Sequence, residues 1–300
     1  MSNEASLKHT TRLRNHLASG SPLIAPGVAD ALNARLVRQH GFDAVYMTGA
    51  GTSAVRLGMP DVGLLTMTEM IDNAARIVDA SGLPLIADAD NGYGGVLNVR
   101  RTVQGYVRAG VAGIHLEDQV LPKRCGHLAG KSVVPAAEMV AKIKAAVDAR
   151  EDPDFLLIAR TDAIAVEGFD AAIERAQLYK EAGADALFVE APNLEQLKLI
   201  PMQLPGPLLF NMASSGKTPF LEQREIKALG FQIVIYPNWI ILAAIRAVNR
   251  TLSMLKQDGN MSRLAEEVTS FREFFDILGM PEIQSLEARY HIEERSRVGY

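Results

Sequence analysis

Two aspartates, Asp88 and Asp90, close the apolar run PLIADAD. On an extended strand their spacing turns both carboxylates to one face, close enough to repel. Either one keeps a proton or a cation neutralises both. With oxygen donors and neither a histidine-rich nor a thiolate set nearby, the cation that suits them is hard: Mg2+, with Mn2+ as substitute. Glu117, at the end of AGIHLED, would join through water, because Mg2+ commonly keeps several of its own. The bland alternative is a pair of strand-end acids capping the next turn.

The second chemical feature is DQVLPKRCGHLAGK, Asp118–Lys131, which holds Cys125, the only cysteine in the 300 residues. A lone thiol forms no internal disulfide. Lys123, Arg124 and a protonated His127 beside it predict a thiol pKa lowered from ~8.5, fit for proton exchange near neutral pH. Gly126 and Gly130 let the segment bend, so it reads as a mobile lid that brings an acid or base to a water-excluded intermediate. An incidental surface thiol in a solvated basic turn is the alternative.

Other polar residues fall at matching places. Thr48-Gly49-Ala50-Gly51 offers backbone N–H groups as an anion nest would, or is a plain strand-to-helix turn. Arg160, in ARTD, either clamps a carboxylate through its fork or pairs structurally with Asp162 or Glu190. His115 alternates onto the face of Glu117 and reads as a hydrogen-bonded interior histidine rather than a ligand of a hard cation. Glu190 and Asn211 end two further apolar runs.

The elements that must position these groups recur along the chain. Eight short, largely β-branched runs are Leu23–Gly27, Ala44–Gly49, Pro84–Asp90, Ala112–Asp118, Phe155–Thr161, Asp185–Ala191, Pro207–Ala213 and Phe231–Pro237. Between them lie segments such as MTEMIDNAARIVDAS, AAEMVAKIKAAVDAR and DAAIERAQLYKEAG, apolar at helical spacing. The alternation predicts an α/β protein: a closed (β/α)8 TIM-type barrel over about 20–258, with its reactive groups at the C-terminal strand ends. A helical extension over about 259–300 is too small to stand alone, so one catalytic domain spanning 1–300 is expected.

Composition narrows the partners. Apolar residues make up 48% of the chain and the net charge is −4, which gives no general attraction to nucleic acid or anionic lipid. The polar N-terminal stretch with Glu4 lacks the apolar core of a secretory signal and reads as a leading helix. Pro237, Asn238 and Arg246 interrupt the most apolar segment, which argues against a membrane span. The expectation is a cytoplasmic protein acting on a small molecule.

TGAGTSAVRLGMPDVG, DADNGYGG, HLEDQVLPKRCGHLAGK, ARTDA, FVEA and GKTP, in this order, resemble the isocitrate lyase and phosphoenolpyruvate mutase superfamily. The chain is most similar to its 2-methylisocitrate lyases, 2,3-dimethylmalate lyases and carboxyphosphonoenolpyruvate phosphonomutases. The resemblance implies a barrel, often a homotetramer built as a dimer of dimers, with C-terminal helices swapped between subunits. It implies that Asp88 ligates Mg2+ directly, with Asp61, Asp90 and Glu117 completing the shell partly through water. Thr48, Gly49 and Ala50 would bind the carboxylate of a pyruvate-like half, and Arg160 would contact its oxygens. Cys125 would protonate the departing enolate, while Lys123, Gly126 and His127 shape the lid. Glu190 and Asn211 would hold the rest of a small carboxylate substrate.

The implied reaction is retro-aldol cleavage of a 2-hydroxy di- or tricarboxylate to pyruvate and a carboxylate. A phosphonomutase is the alternative, kept open by GKTP, as is an oxaloacetate hydrolase or decarboxylase. Departures bear on the substrate: NMASSGKTP stands where methylisocitrate lyases usually carry an NxTEFG-like segment, which leaves room for a dicarboxylate such as 2,3-dimethylmalate. YPNWI stands where relatives tend to read YPLS, and Trp239 either narrows the pocket or packs a helix.

Overall fold

The computed structural model describes residues 6–214 and 218–290. Glu4, Ser215, Gly216 and Lys217 of the NMASSGKTP stretch, and the end of SLEARYHIEERSR lie outside the described residues.

Eight strands close a parallel barrel in chain order: β1 Leu23–Val28, β2 Val45–Met47, β3 Leu85–Asp88, β4 Gly113–Glu117, β5 Leu156–Thr161, β6 Ala186–Val189, β7 Leu208–Asn211 and β8 Ile233–Tyr236, with β8 pairing back to β1. Helices pack outside it: α1 His9–Ala18 leads, then α2 Ala31–Gln39, α3 Gly49–Leu57, α4 Met67–Ser81, α5 Val96–Arg108, α6 Ala136–Ala149, α7 Phe169–Glu181, α8 Leu194–Gln203 and α9 Gln223–Leu229. The start of α4 shows why the crossover helices begin where they do. Thr66 and Glu69 form a reciprocal capping box there, which satisfies two of the free N-terminal amides.

Strand alternation sorts the side chains into two layers. Val45, Met47, Ala87, Ile114, Leu116, Leu157, Ala159, Leu187 and Phe210 pack outward against the helices. Leu23, Ala25, Tyr46, Ile86, Leu156, Ile158, Phe188, Leu209 and Ile235 fill the barrel. Continuing the inward register toward the C-terminal ends brings Thr48, Asp88, Glu117, Arg160, Glu190 and Asn211 to one rim. The register that builds the core therefore also gathers the polar groups.

By contacts, the chain divides into two compact units between Ile241 and Leu242, inside α10 Trp239–Asp258. The second unit holds most of α10, α11 Phe271–Ile277 and α12 Met280–Arg289, with Arg250 pairing to Glu267 and the Phe271 and Phe274 rings on Phe275. No helix among the described residues is long and apolar enough to cross a membrane.

Candidate active site

The rim encloses a cavity of about 40 Å3, lined by Tyr46, Thr48, Asp61, Asp88, Glu117, Lys123, Cys125, Arg160, Glu190 and Asn211 among others. That is room for a few waters at most under the loop after β4. The loop is drawn shut at its base by a bridge between Gln119 and Val133. Gln119 also brackets Arg124, accepting from its backbone N–H and donating to its carbonyl, both at 2.9 Å. The Cys125 N–H donates to the Asp61 carbonyl at 3.1 Å, which ties the thiol-bearing turn to the segment before α4.

Asp88 and Asp90 do not share a strand face, contrary to the spacing argument. β3 ends at Asp88, and Asp90 turns into the left-handed region at φ 47°. There its backbone N–H donates to Asp88 Oδ1 at 2.9 Å. Lys123 takes up the charge instead: its Nζ lies 2.6 Å from Asp61 Oδ1 and 2.5 Å from Asp90 Oδ1, with the side chain almost fully buried. Burial, opposed by Lys123 and reinforced by Asp88 and Asp61, pushes the Asp90 carboxyl up to about 7. Burial also works against ionising Asp88, but His115, Lys123 and Arg160 outweigh it and hold that carboxyl below its ordinary range. His115 is itself driven to about 4 by burial, so at neutral pH Lys123 and Arg160 are the cations that keep Asp88 charged.

Glu117 is buried, and its Oε1 has no hydrogen-bond partner. Burial lifts this carboxyl far above its usual range, although Arg160 approaches Oε2 at 3.5 Å. An unpartnered buried carboxylate oxygen beside an ionised Asp88 suits a hard cation, which would supply the missing partner. Gly49 keeps the approach to Asp88 open, since a Cβ there would stand 2.4 Å from Oδ2. Among the described residues no three acidic, histidine or cysteine side chains converge tightly enough to hold an ion by themselves.

The thiol corrects a second expectation. Burial raises the Cys125 pKa above its ordinary value, even though the His127 backbone N–H works to lower it. The two permanent cations flanking it in sequence are engaged elsewhere: Lys123 by the two aspartates, and Arg124, exposed, by the Ala129 carbonyl. Cys125 is thus a protonated thiol at neutral pH, an acid rather than a standing nucleophile.

Arg160 donates through Nε and Nη2 to Asp162, at 2.9 and 3.1 Å, and lies over the Phe188 ring. One edge of its fork is thereby committed within the protein, which realises the structural alternative for that edge. Asn211 donates to both Glu190 oxygens at 3.3–3.4 Å. Thr48 caps α3, accepting from the Gly51 N–H, so the glycine turn is a helix N-terminus whose first amides have no intrahelical partner.

Tyr46 and Phe188, not singled out in the sequence, also line the cavity, as do Ala213 and Ser214 of NMASSGKTP and Pro237 and Asn238 of YPNWI, the two segments that were. Tyr46 shares a 2.9 Å hydrogen bond with His115, and Thr48 donates to Asn238 Oδ1 at 3.0 Å. Tyr46 stands two residues before Thr48, so strand alternation alone signals it.

The sequence profile described as phosphoenolpyruvate phosphomutase matches residues 13–256. A 2,3-dimethylmalate lyase of Eubacterium barkeri is 49% identical over 280 residues, 93% of this chain and 97% of that protein. A 2-methylisocitrate lyase of Shewanella oneidensis is 41% identical, covering 89% of this chain and 92% of that one. Among solved structures, oxaloacetate acetylhydrolase in complex with the inhibitor 3,3-difluorooxalacetate superposes with a TM-score of 0.90 at 40% identity, over 95% of this chain and 97% of that one. Matched along most of its length, the chain belongs to the phosphoenolpyruvate phosphomutase family.

Proposed function

We propose that this protein is a Mg2+-dependent carbon–carbon lyase that cleaves a 2-hydroxy dicarboxylate of the 2,3-dimethylmalate kind to pyruvate and a second carboxylate. The observation that carries the reading is a part-buried, protonated thiol on a lid across a cavity of paired charges. The 49% identity to a lyase named for that substrate supports it.

The charges also argue for the ion. Asp61, Asp88, Glu117 and Glu190 line the cavity, whereas Lys123 and Arg160 already face carboxylates. A dianionic substrate entering there needs a further positive charge. Asp88, together with Asp61, Asp90 and Glu117, would hold Mg2+. Bound there, Mg2+ would polarise the substrate's hydroxyl and carboxylate oxygens.

The chain's own groups supply the remainder. The N-terminal amides of α3 receive a carboxylate, and the free edge of Arg160 orients it. As the bond between carbons 2 and 3 breaks, its electron pair passes to carbon 3 and the hydroxyl proton passes to one of the carboxylates that line the cavity. Carbon 2 becomes the ketone of pyruvate, and the Cys125 thiol delivers a proton to carbon 3 of the enediolate. The lid keeps bulk water from competing with that delivery.

The exposed apolar stripe Leu242, Ile245, Val248, Leu252 and Leu255 on α10 supports a homotetramer with swapped helices as part of this reading, which sedimentation would test.

The deciding experiment offers 2,3-dimethylmalate, 2-methylisocitrate and oxaloacetate in turn, with Mg2+ and after chelation. Metal-dependent pyruvate, greatest from 2,3-dimethylmalate, is the expected result. Oxalate from oxaloacetate with no pyruvate from the others would overturn the lyase reading in favour of a hydrolase.

A further inference from the structure

Lys131 has no part in the chemistry above, yet its side chain is 3% exposed. It leaves the lid at its C-terminal base and reaches back to donate to the Gly126 carbonyl, next to Cys125. The same ammonium donates to Asp162 Oδ1 at 2.8 Å. That oxygen also accepts from Arg160 Nη2 at 3.1 Å, so one carboxylate joins the lid to the arginine of the cavity. The contact at Gly126 is close: a Cβ there would stand 2.4 Å from Arg160 Nη2 and 2.8 Å from Glu190 Oε1. The Gly126 backbone thus rests directly over Arg160 and Glu190, and Lys131 is the side chain that bonds its carbonyl.

We propose that Lys131 is a positioning residue, a latch that locks the closed lid onto Asp162 and in doing so sets both the Cys125 thiol and the Arg160 guanidinium. Asp162 already has the Arg160 fork as counter-charge. A second cation on the same oxygen is therefore explained by what it ties down rather than by neutralisation. Gly126 cannot move away from Asp162 without breaking one of the two Lys131 bonds, so opening the lid costs a charge-assisted contact.

The effect on turnover rests on the lyase reading; the effect on lid opening does not. Because Cys125 is the only cysteine, its alkylation by iodoacetamide, followed by intact mass, reports lid opening directly. Lys131→Met should accelerate alkylation about tenfold to a hundredfold, as loss of a charge-assisted bond allows. The acceleration should depend only weakly on urea, the mark of local rather than global opening. Pyruvate release should fall through kcat more than through KM. Lys131→Gln, of similar length and still a donor, should fall between and serves if the methionine variant does not fold. Alkylation within twofold of wild type, or acceleration that tracks global unfolding in urea, would overturn the latch. Accelerated alkylation with no pyruvate from any variant or the wild type would uphold the latch and sink the lyase reading.

Discussion

Replacing Lys123 with methionine keeps the stem and removes the charge, which isolates what the ammonium does. It lies 2.6 and 2.5 Å from Asp61 and Asp90, with all three side chains largely buried. Breaking a buried pair in this way costs about 3–5 kcal/mol, because the carboxylates left behind have neither water nor a partner. The loss is a large share of the roughly 5–15 kcal/mol that holds a typical domain folded. Its pH dependence follows from Asp90. With its carboxyl at about 7 in the folded chain, Asp90 holds a proton that the unfolded chain, near ~3.9, has already lost. Stability therefore declines as pH rises through that window, and without Lys123 the Asp90 carboxyl climbs further. The deficit of Lys123→Met should be greatest at pH 8 and fall by about half at pH 5.5, where Asp90 is protonated in both proteins. Urea unfolding at the two pH values, with chelator present, measures it. A deficit below about 1 kcal/mol at pH 8, or one that ignores pH, would refute Lys123 as the cation that neutralises these acids.

Gly126→Ala forces a Cβ against Arg160 and Glu190, whose tips are held by Asp162 and by Asn211. Overpacking of about 1–3 kcal/mol should lower kcat/KM roughly tenfold to a hundredfold, and steady-state rates equal to wild type would contradict it. If Cys125 is the proton donor, as proposed, its acid form is the active one and burial raises its pKa, so kcat should hold through pH 8 and fall only above the ordinary thiol range near ~8.5. A pH–rate profile that instead rises through this range would point to a thiolate. Trp239 donates to the Met212 carbonyl at 2.8 Å and meets the Phe220 ring, bracing the segment that presents Ala213 and Ser214 to the cavity. Trp239→Phe loses the donor and keeps the ring, so KM for the substrate should rise by a few-fold at nearly unchanged kcat, about 1 kcal/mol in all.

The barrel was legible because each strand is a short β-branched run between turn residues, and the rim was legible because alternation carries inward positions past the core. Thr48, Asp88, Glu117, Arg160, Glu190 and Asn211 all obey that rule. Asp90 escapes it because the chain leaves the strand at Asp88 and turns left-handed, which a period of two does not encode. The thiol was misjudged for a different reason. Lys123 stands two residues from Cys125, but its partners Asp61 and Asp90 are distant in sequence, and only the closed barrel brings them together. Lys131 likewise reads as one more positive charge until Asp162 is placed beside it. Charge type is visible in a sequence; which charge is already engaged is not.

The most direct test is the initial rate of pyruvate release from 2,3-dimethylmalate at saturating Mg2+, for the wild type and for Cys125→Ser. A fall of about a hundredfold to ten-thousandfold is expected, with the Mg2+-dependent rise in Tm preserved. Turnover near the wild-type rate would contradict Cys125 as the proton donor.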